Sequence, residues 1–185
     1  MHPRTPFEPT FRVAVPADVD AIVALVESAY RGESSAAGWT TEAHLIDGQR
    51  TDATEVASLV GGPASLIILA DVAGRLCGCC HIQRITPEAA RFGMFAVDPD
   101  LQGGGIGRGL IVEACRTGVS WGAARLEMAV IRQRSDLIAW YGRLGFLPTG
   151  KTERFPYGDE RFGRPRRPDL EFVVLSGPCD AALAG

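Results

Sequence analysis

Residues 94 to 110 constrain the fold more than any other stretch of the chain. They read Met94-Phe95-Ala96-Val97-Asp98-Pro99-Asp100-Leu101-Gln102-Gly103-Gly104-Gly105-Ile106-Gly107-Arg108-Gly109-Leu110. The run up to Val97 is apolar and has strand character. Asp98-Pro99 ends it, because proline cannot donate to a ladder and biases the residue before it toward extended geometry. Three glycines follow, then Ile106-Gly107, then an apolar helical pattern through Ile111, Val112 and Ala114. A strand, a glycine-rich turn and a helix N-terminus in this order form an anion site. The first helical N–H groups have no partner within the helix, and the helix dipole favours negative charge there. Glycines let that backbone approach a phosphate closely.

Two common phosphate motifs are excluded. The lysine-bearing nucleotide loop needs Gly-Lys-Ser/Thr, and the only lysine here is Lys151. The dinucleotide fingerprint G-x-G-x-x-G fails as well: from Gly103 its third glycine falls on Arg108, and from Gly105 on Leu110. What fits is Gln-x-x-Gly-x-Gly, as Gln102, Gly105 and Gly107, after a strand ending Val-Asp-Pro. This resembles the acyl-coenzyme A loop of the GCN5-related N-acetyltransferases (GNAT). The resemblance implies that Gln102, Gly103, Gly104, Gly105, Ile106, Gly107 and Arg108 hold the pyrophosphate. It further implies that Phe95, Ala96 and Val97 bind the pantetheine arm through their main chain, with acetyl-coenzyme A as co-substrate and no metal.

A second segment carries the same resemblance. Leu137-Ile138-Ala139-Trp140-Tyr141-Gly142-Arg143-Leu144-Gly145-Phe146 is similar to the family's helix with a tyrosine followed by Gly-Phe. That tyrosine is assigned there as the acid that protonates the departing thiolate, which makes Tyr141 the expected acid. The family pattern places an asparagine seven residues earlier, where this chain has Arg134. The segments Tyr30-Arg31-Gly32-Glu33 and Gly38-Trp39-Thr40-Thr41-Glu42 further resemble a bacterial subfamily.

Read in order, the chain predicts a strand at 11–15 and a helix capped at 16–18. A short helix is expected from Thr40 or Thr41 through Leu45-Ile46, and another from Asp52 or Thr54 to Gly61. A hairpin of 65–71 and 76–84 turns at Ala73-Gly74-Arg75, and 89–97 feeds the glycine loop. A helix to Trp121, a strand at 125–131, a helix from Ser135 and strands near 146–153 and 170–175 complete the order. The expectation is α/β: a mixed, mainly antiparallel sheet flanked by helices on both faces, which is also the family's order. One domain over 1–185, with its core at about 11–175, is expected from a length of 185 residues without linker or repeat.

Composition narrows the setting. Five cysteines without a framework spacing argue against a secreted disulfide scaffold and for a reducing cytoplasm. No apolar run approaches a membrane span, and residues 1–10 do not read as a secretory signal. Cys77, Cys79 and His81 alternate on a strand and would share one face, but that spacing suits small core residues better than a metal. Arg161, Arg164, Arg166 and Arg167 form a basic patch without a nucleic-acid motif, in a chain of net charge −3.

The acceptor is expected to be a primary amine of a small molecule or peptide, with no nucleic acid and no membrane; a homodimer is compatible with the reading. Glu127, within an apolar strand, is a candidate base, and structural pairing with an arginine is the competing reading. Glu33 and Glu42 flank Trp39 and suit an ammonium or guanidinium. Residues 1–60 hold four arginines against nine carboxylates, which favours a cationic acceptor. The rival readings are a non-catalytic coenzyme A sensor and an enzyme that uses another acyl group.

Overall fold

The computed structural model describes residues 8–31 and 41–183. The chain opens with β1 (Thr10–Val13), a 3-10 turn over Pro16–Asp18 and α1 (Val19–Tyr30). Asp18 brackets this entry: its carboxylate accepts the Val15 N–H at 2.8 Å and pairs with Arg12 at 2.7 Å. That pairing holds the Asp18 carboxyl below the usual carboxylate range. Then come β2 (Ile46–Asp47) and α2 (Ala53–Gly61), the latter capped by Asp52, which accepts the Glu55 N–H at 2.8 Å. The meander follows as β3 (Ser65–Val72), β4 (Arg75–Thr86) and β5 (Ala89–Val97). After it run α3 (Ile106–Ser120), β6 (Arg125–Ile131), α4 (Ser135–Arg143) and β7 (Leu147–Arg154). The chain closes with β8 (Arg164–Pro165), β9 (Glu171–Pro178) and α5 (Cys179–Leu183).

Seven strands form one sheet in the order β1-β3-β4-β5-β6-β9-β7, antiparallel everywhere except between β5 and β6. Helices cover both faces, as the apolar pattern predicts. On one face Ile22, Val26 and Ala29 of α1 and Val56 of α2 pack on Ile67, Leu69 and Ala96. On the other, Leu110, Ile111 and Ala114 of α3 and Leu137 of α4 pack on Phe92, Leu126 and Leu175. Each fully buried aliphatic side chain contributes about 1.5–3 kcal/mol, so these two layers hold the strands at their spacing.

The expected helix through Leu45-Ile46 is replaced. Residues 43–45 form a turn, and Ile46-Asp47 pairs as β2 with Arg164–Pro165. Leu45 and Ile46 bury themselves against Ile131, Phe155 and Leu170, so burial rather than helical spacing explains their apolar character. The shared face of Cys77, Cys79 and His81 also fails. The β3–β4 register slips between Ala70 and Asp71, whose partners are Gly78 and Leu76. The extra residue reverses the alternation, so Cys77 joins the α3 layer and Cys79 the α1 layer. No group of three or more metal-ligating side chains occurs among the described residues.

Candidate active site

The glycine loop is built as its residues demand. Asp98 ends β5, and its side chain accepts the Asp100 N–H at 3.0 Å. Gln102 ties the loop back, its side-chain amide donating to the Val97 carbonyl at 3.1 Å. Gly105 is the N-cap of α3 with φ of 86°, a left-handed conformation that glycine adopts without strain. The cap has no side chain to receive the first helical N–H groups, so those of Ile106, Gly107 and Arg108 remain for a ligand. A Cβ at Gly107 would stand 3.0 Å from the Phe95 ring, so glycine also lets the helix start close to β5. The loop borders a groove of about 520 Å³ lined by Val97, Gln102, Gly103, Ile106, Arg108 and, from α4, Trp140 and Arg143.

The sheet opens beside this groove. β5 and β6 are in register only at Ala89–Arg91 and Arg125–Glu127. Beyond Arg91 the strands diverge, and the side of β5 that faces β6 has no partner strand. An extended ligand arm can add there as a strand does. A bulge marks the same place: Cys79 pairs with Ala96 and His81 with Gly93, so Met94 and Phe95 together oppose Cys80. Met94 takes φ of 39°, sparsely populated for a side chain of its size. Such a bulge re-aims main-chain groups at the point where the strands part. Tyr30, the last residue of α1, donates its hydroxyl to the Phe95 carbonyl there.

α4 supplies the second wall. Its start is fixed by Arg134, which is almost fully buried. The Arg134 guanidinium pairs with Asp136 at 3.1 Å and donates to the Thr41 carbonyl at 3.2 Å. Arg134 lines neither cavity, so at the place of the family's asparagine it acts as a bracket between α4 and the segment before β2. One turn on, Trp140 stacks on Phe95 with ring centroids 5.9 Å apart, and Tyr141 lies edge-on to Trp140 at 5.0 Å. Tyr141 is buried and lines the neighbouring cavity. Its hydroxyl makes no hydrogen bond among the described residues. Burial pushes its pKa well above the ordinary phenol value, so the proton stays on the oxygen.

That neighbouring cavity, about 430 Å³, meets the groove at Phe95, which lines both. Its walls carry Tyr30, Tyr141 and His81, two arginine–carboxylate pairs, Arg31 with Glu42 and Arg91 with Glu153, and also Arg50 and Glu55. Glu42 pairs with Arg31 at 3.5 Å and Glu153 with Arg91 at 2.6 Å. The Arg50 guanidinium lies 5.4 Å from the centroid of the Tyr30 ring. Burial also holds the His81 pKa down at about 4, so its ring is neutral; it bonds the Ser65 hydroxyl at 2.8 Å.

The structure therefore gathers Phe95, Val97, Gln102, Gly103, Gly105, Ile106, Gly107 and Arg108 at one groove, with Ala96 and Gly104 between them in the chain, and Tyr141 and Glu42 at the adjoining cavity. Glu33 and Trp39 lie outside the described residues. Glu127 does not join the site. It stands opposite Arg91 and Ser176 at the closed end of the β5–β6 pair, and its carboxylate takes Arg125 at 3.4 Å. It lines neither cavity. Tyr30 and Arg31 are site residues that the motifs do not reveal. Their one signal in the sequence is the Tyr-Arg-Gly-Glu segment, which carries no chemistry by spacing.

Residues 24–146 match the profile of the acetyltransferase (GNAT) family. No curated protein matches the chain. Among solved structures, it resembles the ribosomal-protein-S18-alanine N-acetyltransferase from Escherichia coli at 21% identity and a TM-score of 0.67, over 93% of this chain and 94% of that one. It is also similar to a chimera of spermidine N-acetyltransferase from Vibrio cholerae and hSSAT, at 16% identity and a TM-score of 0.66, over 96% and 99% of the two chains. A GNAT family acetyltransferase from Elizabethkingia anophelis with acetyl-CoA bound shares 14% identity and a TM-score of 0.63, over 92% and 97%. At these identities the likeness is one of fold.

Proposed function

The chain belongs to the acetyltransferase (GNAT) family, and from that membership we propose that it transfers an acetyl group from acetyl-coenzyme A to the primary amine of a small molecule or peptide. The observation that carries the reading is the meeting of two cavities at Phe95, beneath the Tyr141 hydroxyl's helix and beside the bulge in β5. One holds an anion-binding loop; the other holds the acid. The similar proteins named as a ribosomal-protein-S18-alanine N-acetyltransferase and as a spermidine N-acetyltransferase chimera support an amine acceptor, and this chain is assigned one on that basis.

Acetyl-coenzyme A supplies an activated acetyl thioester. The α3 N-terminus binds the pyrophosphate through the N–H groups of Ile106, Gly107 and Arg108. The unpaired side of β5 orients the pantetheine arm by main-chain hydrogen bonds. Its bulge aims a main-chain N–H at the carbonyl oxygen, where negative charge grows as the amine attacks. Tyr141 holds a proton at Oη for the sulfur that departs. A phenol raised above its ordinary value is a weaker acid than a thiol of about 8.5, so full transfer from Tyr141 alone runs uphill. Tyr141 therefore donates a hydrogen bond to the sulfur and passes on the proton that the attacking nitrogen must lose. The amine attacks directly in a ternary complex, because the cysteines are buried and none lines either cavity among the described residues.

The test is thiol release from acetyl-coenzyme A with a panel of amines, against no amine and against matched alcohols. Amine-dependent release with formation of the N-acetyl product supports the reading. Tight coenzyme A binding without turnover on any amine would identify a sensor instead.

A further inference from the structure

The arginines that line the two cavities divide by their partners. In the cavity of Tyr141, Arg31 is taken by Glu42 at 3.5 Å and Arg91 by Glu153 at 2.6 Å. Arg108 and Arg143 line the groove of the glycine loop and have no carboxylate partner among the described residues, which suits a wall that meets an anionic cofactor. Arg50 belongs with these two by its chemistry and with the cavity of Tyr141 by its place. Its guanidinium has neither a carboxylate nor any other hydrogen-bond acceptor among the described residues. Burial does not account for this. Arg50 is half-buried, and none of its nitrogens is sealed from solvent, in contrast to Nε and Nη2 of Arg31 and Nη1 of Arg91.

The fold fixes where this cation stands. The main-chain N–H groups of Arg50 and Thr51 donate to Glu27 Oε1 at 2.5 and 2.9 Å, which anchors the segment against α1. From there the guanidinium reaches over the Tyr30 ring, 5.4 Å from its centroid. The ring attracts the cation through its face and uses none of its N–H groups. At the far end of the same ring the Tyr30 hydroxyl donates to the Phe95 carbonyl, at the bulge in β5. One aromatic ring therefore separates Arg50 from the bulge. The acids of this wall are spoken for: Glu27 by the two main-chain N–H groups, Glu42 and Glu153 by arginines, and Glu55 by the Thr51 hydroxyl at 2.7 Å. The charge balance of residues 1–60 favours a cationic acceptor, but the charge left unmet at the cavity is the cation of Arg50.

We infer that the acceptor amine carries a carboxylate, which Arg50 receives at the cavity wall while the amine faces the β5 bulge. The inference rests on the acetyltransferase reading and deepens it by naming the acceptor class. Arg50 sets specificity and takes no part in the chemical step. Its planar fork presents parallel N–H bonds that match the two oxygens of a carboxylate. In a half-buried wall such a pair is screened less than one on the open surface. The same charge repels an acceptor that bears a second ammonium in place of the carboxylate, so the site selects by repulsion as well as by attraction.

Binding to the enzyme–coenzyme A complex tests this without turnover. The probes are N-acetyl amino acids with α, β and γ spacing of amine and carboxylate, titrated by calorimetry. Each is measured beside its primary amide and beside the mono-N-acetyl diamine of equal length. At least one carboxylate should bind roughly tenfold tighter than its amide, and the diamine of that length weaker than both. Arg50→Gln should erase the difference while coenzyme A affinity stays unchanged. Arg50→Lys, which keeps the charge and loses the fork, should retain part of it. If no carboxylate outbinds its amide in the wild type, or if the preference survives Arg50→Gln, the assignment is wrong. A loss of coenzyme A affinity in both variants would place Arg50 on the cofactor and overturn it equally. A carboxylate preference that depends on Arg50, with no turnover on the free amino acids, would instead sink the transferase reading and leave the carboxylate site standing.

Discussion

Tyr141 keeps its proton because it is buried, and its hydroxyl is free because no described side chain takes it. Replacing it by phenylalanine preserves the rings of Phe95, Trp140 and Phe146 around it. Turnover of Tyr141→Phe should therefore fall roughly ten- to a thousandfold, with coenzyme A affinity nearly unchanged. Equal turnover in steady-state assays would make Tyr141 a packing residue. His81 titrates in the opposite sense to a paired histidine. Its folded value of about 4 lies below the unfolded 6.5, so its stabilisation is full above pH 6.5 and is lost as pH falls toward 4. From this group alone, stability should drop by about 2 kcal/mol between pH 7 and pH 5. Urea unfolding at both pH values, in wild type and His81→Gln, isolates the effect; an equal drop in the variant would assign it elsewhere. Tyr30 and Arg31 show the limit of motif reading at this scale. Tyr30 bonds a residue 65 positions away, and no local spacing encodes that contact.

The elements differ in how openly the chain declares them. Ala89–Val97 and Arg125–Ile131 are legible to the residue because β-branched and apolar runs end at turn-forming residues. α3 and α4 are legible because apolar residues recur at helical spacing after a glycine or serine start. The bulge in β5 is not, since Met94 adopts positive φ with no glycine to announce it. The turn before β2 is hidden as well, because Leu45 and Ile46 are apolar for a tertiary contact. The glycine loop is the element on which function is read most directly, and Gly105→Asp tests it. Open space surrounds the Cβ position, so the obstacle is φ of 86° and not crowding. Aspartate as a helix N-cap offsets part of that strain, and the protein should remain folded. Its carboxylate would face the pyrophosphate, and coenzyme A affinity should fall about a hundredfold, near 2.7 kcal/mol. Unchanged affinity by calorimetry in a folded variant would remove the loop from the site.

Taken whole, the molecule is a sheet in two leaves. β1, β3, β4 and β5 form one; β6, β9 and β7 form the other. Their main-chain link is the short parallel pair at Ala89–Arg91 and Arg125–Glu127. Beyond it the leaves are joined through side chains, chiefly the layer in which α3 and α4 meet Phe92, Phe95 and Leu126. A ligand arm laid along β5 would occupy the gap and give the free main-chain groups partners on the open side. Binding should then tighten the molecule locally as well as stabilise it globally. At a hundred times its dissociation constant, coenzyme A should contribute about 2.7 kcal/mol by mass action. For a domain of this size that shift in Tm is about 5–10 °C. The global shift alone does not locate the arm, since any ligand produces it. The pattern of amide exchange does. Protection should rise most at Phe95 and Val97 and at the loop amides of Ile106, Gly107 and Arg108, and least on β1 and β7 at the sheet's edges. Uniform protection, or protection confined to the loop, would mean that the pyrophosphate docks while the arm does not add to β5. The oxyanion role of the bulge would then fall with it, because only an arm held along the open edge brings the thioester to the bulge.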